Sequence, residues 1–156
     1  MKAFLATFLL IYTLSAPAQE KIVMSTHRFF SKTDKIAELE KALATHTGKF
    51  HQGNNKWTIY RILSGPDAGG YHQEEGPIAW TQIEPATGKT SAAEEDLYKT
   101  VAPLTSAIGA GCAIYRSDLS TSASDDFTDE ISISHVFYKP GSELIMAEAL
   151  GKMKKA

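Results

Sequence analysis

The chain of 156 residues carries a single cysteine, Cys112, and that shortage decides much about it. One thiol cannot close an internal disulfide, so the fold must rest on packing alone. No His-x-His, His-x-x-x-His or Cys/His spacing of the zinc-binding kind occurs, which argues against a structural metal site. Charge of one sign is also lacking. Sixteen Lys and Arg face eighteen Asp and Glu, for a formal net charge of −2 and no long run of either sign. Nothing electrostatic therefore points to nucleic acid or to an anionic membrane.

Other absences narrow the chemistry. Gly65, Gly69 and Gly70 are not followed by the Lys-Ser/Thr pair that opens a helix in a phosphate loop, so they read as a wide turn. Asp125-Asp126 and Asp129-Glu130 lack the central glycine of a calcium loop and read as a charged linker. Glu74 and Glu75 are adjacent, so on an extended chain they point apart; a solvated loop tip is expected rather than an acid/base pair. Cys112 lies in the apolar run Cys112-Ala113-Ile114-Tyr115 without a catalytic signature around it, and a buried, inert thiol is expected.

One long apolar run is present, at the N-terminus. Lys2 gives a basic start, Phe4 to Leu14 is apolar apart from Thr7 and Thr13, and Ser15-Ala16-Pro17-Ala18 supplies the small-residue pattern before Gln19. This reads as a secretory signal peptide cleaved after Ala18, too short to span a bilayer. The expected product is exported, periplasmic or secreted, with no membrane attachment after cleavage. Its 138 residues suffice for one ordinary core, and loss of Lys2 takes the net charge to −3.

From residue 22 the composition alternates between strand and helix. Ile22 to Phe30 reads as a strand, with Val23, Ser25, His27 and Phe29 on one face. After capping candidates at Ser31 to Asp34, Ile36, Leu39, Leu43 and His46 recur at helical spacing up to Gly48, a plausible C-cap. His51 falls in a loop expected to meet solvent. Two apolar runs follow, Trp57 to Leu63 and Ile78 to Ile83, with residues 64–77 as the polar loop between two strands. A second helix starts at a Ser91/Glu94 capping box and carries Leu97, Val101, Leu104 and Ile108, kinked or cut short by Pro103. Gly109-Ala110-Gly111 is expected to stop it, with a fourth strand from Cys112 to Leu119. That order is β-α-β-β-α-β, an α+β ferredoxin-like unit with an antiparallel sheet.

Residues 120–130 read as a linker, and 131–156 repeat the opening. At an offset of 108 residues His27 meets His135, Phe29 meets Phe137, Ile36 meets Leu144 and Glu40 meets Glu148. An ungapped match over a strand and a helix start points to an internal duplication. The organisation expected is thus a signal peptide at 1–18, the ferredoxin-like unit at 19–119, the linker, and the first βα of an incomplete second repeat. Either the chain belongs to a longer tandem protein, the reading favoured here, or its βα tail docks on the first unit.

The order of elements, the step Phe137-Tyr138-Lys139-Pro140-Gly141-Ser142-Glu143 and the duplication resemble the dimeric α+β barrel superfamily. That group includes antibiotic-biosynthesis-type monooxygenases, haem-degrading monooxygenases and NIPSNAP-like proteins. Leu63-Ser64-Gly65-Pro66 with Gly70-Tyr71, and Tyr115-Arg116-Ser117-Asp118-Leu119, are similar to exported bacterial proteins of this type with tandem repeats. The resemblance implies pairing of repeats or of two chains, since half a barrel leaves a sheet face to cover. It brings a cofactor-independent or haem-handling monooxygenase as an alternative activity. No residue here matches the haem ligand of that group, and no cofactor is expected from the residues themselves.

Candidate ligand-binding residues gather around the two apolar runs: Trp57, Tyr60, Tyr71, His72 and Trp80, joined by His27. Aromatics with a few polar groups are what a small-molecule pocket needs, although each also serves as ordinary core. His72 beside Tyr71 is the best-placed rim residue, whereas His27, on an apolar strand face, reads first as a hydrogen-bonded core residue. The expectation is a protein that binds a small apolar or aromatic ligand. A monooxygenase-like enzyme and a structural module are the alternatives, and the sequence does not decide whether it is an enzyme.

Overall fold

The computed structural model describes residues 22–53, 56–83, 90–121 and 128–155. The expected signal peptide, 1–18, and most of the expected linker, 122–127, lie outside the described residues. No described helix is long and apolar enough to cross a membrane.

Four strands, β1 (Val23–Ser31), β2 (Trp57–Arg61), β3 (Tyr71–Ile78) and β4 (Thr105–Ile114), form one antiparallel sheet in the order β2-β3-β1-β4. With α1 (Ile36–Phe50) after β1 and a second helical segment before β4, this is the ferredoxin-like arrangement that the order of elements predicts. Alternation along β1 puts Val23 and Phe29 on the helix side, where Phe29 meets Leu39 and Leu43 of α1, Trp57, Tyr71 and Val101 in the buried core. Of the predicted stripe of α1, Leu39, Leu43 and His46 are buried, while Ile36, the first helical residue, is exposed.

Several boundaries move, each for a physical reason. Trp80–Ile83 forms a single helical turn, α2, where a strand was expected, and the next helix keeps its capping box, with Ser91 Oγ accepting from the Glu94 N–H. The segment α3 (Ala92–Asp96) then widens into a π turn at Leu97–Val101 and tightens into a 3₁₀ turn at Ala102–Leu104, so Pro103 ends it. β4 therefore starts at Thr105, not at Cys112. Gly109 and Gly111, expected to break the chain, lie inside this strand opposite Arg28 and Thr26. The loop between β2 and β3 is 62–70 rather than 64–77, and Glu74 and Glu75 are strand residues, not a loop tip.

Gly76-Pro77 inside a central strand sits where the β1 register shifts between Val23 and Ser25, the kind of irregularity that tolerates proline. Gly76 has φ +135°, and a Cβ there would lie 2.6 Å from the Val23 carbonyl oxygen, so the close approach requires glycine. Helix α1 runs past Gly48 to Phe50, closed by the His51 N–H on the Thr47 carbonyl. Its N-cap is Lys35, without a side-chain cap from Ser31 to Asp34. Cys112 is exposed, on a strand at the edge of the sheet. Of the strand and helix expected over 131–156, a helix forms as α4 (Glu143–Lys154), while 131–139 has no strand pairing and is exposed along its length. A strand needs a neighbour for its N–H and C=O groups, and none is offered to it among the described residues.

Candidate functional site

Strand β2 is an edge strand, and its residues 57, 59 and 61 face α1. Between them and the helix runs a groove of about 390 Å³, lined by Glu40, Leu43, Ala44 and Thr47 from α1, Trp57, Ile59 and Arg61 from β2, and Tyr71 from β3. The size and the apolar lining with few polar groups suit a small molecule. The edge position of β2 leaves the groove open along one side.

The groove wall is held by buried polar contacts. Trp57 is 6% exposed, and its indole Nε1–H donates to Glu75 Oε2 at 2.9 Å. Burial pushes the Glu75 carboxyl up, opposed by the Trp57 hydrogen bond and by the nearby His27. His51, expected in solvent, is half-buried and stacks on the Trp57 ring at 3.7 Å between centroids. Behind it His46 is 1% exposed, its Nδ1 2.9 Å from Asp96 Oδ2 and its Nε2 3.2 Å from His51 Nε2. At the first of these contacts His46 Nδ1–H donates to the Asp96 carboxylate. That hydrogen bond from His46, helped by Lys49, holds the Asp96 carboxyl below the usual carboxylate range. Tyr71 Oη donates to Glu40 Oε1 at 2.6 Å. Burial, then Glu40, push the phenol up to about 12, so it stays protonated and a donor.

Of the sequence candidates, Trp57 and Tyr71 line this groove. His27 lies on the same sheet face, half-buried, stacked against Phe29 and Trp57, with Nδ1 2.6 Å from Gln73 Oε1. Tyr60 and His72 are register partners on the opposite face of the sheet, with Arg28 beside them. There His72 Nε2 is 2.7 Å from Glu74 Oε1, and Tyr60 Oη donates to the Thr128 carbonyl. Trp80 is in the α2 turn, 42% exposed and away from the groove lining. The sheet thus divides the candidate set in two.

The reading by residue type missed Glu40, Ala44, Thr47, Ile59 and Arg61. Two spacings held the signal: Glu40, Ala44 and Thr47 form the helical stripe beside the buried one, and 57, 59 and 61 alternate on β2. Asp96, Glu75 and Gln73 left no such trace, because their partners are 18 to 50 residues away. Among the described residues no group of three or more His, Cys, Asp and Glu is placed to hold a metal ion.

No family model matches the chain, and no curated protein matches it. Among solved structures it is similar to a candidate antibiotic biosynthesis monooxygenase of Bordetella bronchiseptica, at 12% identity and TM-score 0.48 over 60% of this chain and 96% of that one. A Shewanella oneidensis protein is 16% identical, with TM-score 0.46 over 62% and 93%. A candidate antibiotic biosynthesis monooxygenase of Nitrosomonas europaea is 21% identical, with TM-score 0.44 over 62% and 90%. No residue role is taken from them.

Proposed function

We propose that this protein binds a small apolar or aromatic molecule in the groove between α1 and the β2 edge. The observation that supports this most directly is the seating of Trp57. Its indole N–H is bonded to Glu75 and its ring is stacked with His51, so an aromatic part of the groove wall is held in place before any ligand arrives. Preorganisation of this kind lowers the ordering cost of binding. Titration with quinones, flavins and fatty acids, followed by tryptophan fluorescence in a Trp80→Phe background, is expected to report on Trp57. No response to any of them would overturn the reading.

A monooxygenase-like activity on the bound ligand is the second reading. It asks for a proton acceptor against the ligand, and Glu40, held by Tyr71, is the acidic group in the groove wall. Dioxygen uptake that disappears in Glu40→Gln while binding persists would favour it over binding alone. For a haem-handling reading the groove offers no histidine in its lining, and His46 and His51, beside Trp57, are in contact with each other.

We further propose that the mature protein is exported, and that a second copy covers the apolar side chains of the tail. Val136, Phe137, Leu144, Ile145 and Met153 are each more than two-thirds exposed, more than a soluble monomer leaves uncovered. N-terminal sequencing of the product and light scattering test the two points; an intact Met1 or a monomer would reject the corresponding one.

A further inference from the structure

We infer that the ligand of the groove is an anion, a carboxylate carried on an aromatic or other flat apolar body, and that Arg61 selects it; this rests on the groove reading above. Arg61 is the last residue of β2 and, among the described residues, the only cation in the groove lining. It is exposed, and no carboxylate among the described residues lies within ion-pair distance of its guanidinium. The acidic group that shares the lining, Glu40, is engaged by the Tyr71 hydroxyl at 2.6 Å.

The placement follows from the sheet. Arg61 and Tyr71 are register partners, so guanidinium and phenol stand side by side on the helix face. Two positions back along the same face is Ile59, and two further is Trp57, so the charge stands at one end of an apolar strip. A flat ring lying on Trp57 and Ile59, under Leu43 and Ala44, would present a carboxylate at the Arg61 end. There the planar fork of the guanidinium can donate two parallel hydrogen bonds. A neutral ligand leaves this donor set unused, and a cationic one meets repulsion.

The test uses the mature chain and two probes of one shape, 2-naphthoate and neutral 2-naphthamide, titrated calorimetrically. The carboxylate is expected to bind about ten-fold more tightly, as befits a charge-assisted contact at a half-open site. Arg61→Gln should bring the two probes level by weakening the carboxylate alone, while Arg61→Lys recovers part of the difference. Ala44→Trp, an exposed helix position on the groove, should block both probes without loss of fold. Equal affinity of the two probes, unmoved by Arg61→Gln, would overturn the charge selection and leave the groove reading standing. Failure of both probes to bind, or binding untouched by Ala44→Trp, would overturn the groove as well.

Discussion

Trp57 and Glu75 are register partners on β2 and β3, and the indole N–H of one donates to the carboxylate of the other at 2.9 Å. This cross-strand bond fixes the aromatic wall of the groove and leaves a carboxylate in a partly dry place.

The consequence for pH has a definite sign. Burial raises the folded-state pKa of Glu75 above its unfolded value. Between those two values the folded state holds more protons, so this residue lets stability fall as pH rises through the window, with no further change above it. Glu75→Gln, whose amide oxygen can still accept from Trp57, is expected to flatten that limb in denaturation curves taken from pH 4 upward. Trp57→Phe removes the one hydrogen bond that lowers the Glu75 pKa, and should cost about 1 kcal/mol while steepening the same limb. Identical pH profiles for all three proteins would reject the assignment.

Phe29 is fully buried at the centre of the core, between α1 and the sheet. Truncation of Phe29 to alanine is expected to cost about 3–5 kcal/mol, read as a lower urea midpoint at unchanged slope. A loss below about 1 kcal/mol would mean that the core is not centred there.

Gly76 combines a positive φ with a backbone oxygen where a Cβ would go. Gly76→Ala should therefore destabilise by about 1–3 kcal/mol or more, although the residue itself buries nothing. The nearby Gly111 has ordinary space, with Thr26 Oγ1 3.5 Å from a built Cβ, and Gly111→Ala should be nearly neutral. Equal effects at the two sites would contradict the bulge geometry.

Cys112 is exposed on the β4 edge. One equivalent of thiol should react with a disulfide reagent in the native protein, at a rate close to that in denaturant. A thiol that reacts only after unfolding would show that β4 is covered in solution, as an edge-on partner would cover it.

Sequence patterns carried the large features because they report local periodicity. Leu39, Leu43 and His46 mark the buried side of α1, and Ser91 with Glu94 marks a helix start, since each involves residues within one or two turns. The element order then restricts the sheet to few topologies, and the ferredoxin-like one follows. Where a signal depended on composition alone it misled. Glycines at 109 and 111 look like a stop yet lie in a strand, and Gly76-Pro77 looks like a loop yet lies in β3 at a register shift against β1.

The sequence by itself determined the α+β class, the amphipathic face of α1 and the strand alternation that puts Trp57 and Arg61 on one side. Periodicity is written in adjacent residues and survives without a partner. Only the tertiary structure decided that Tyr71 and His72, neighbours in the chain, serve opposite faces of the sheet in different clusters. It alone brought Asp96 to His46 and Glu75 to Trp57, because such pairings depend on register and packing between segments far apart in sequence. Loop closure over those distances leaves no local trace, and the groove exists only once the edge strand lies against the helix.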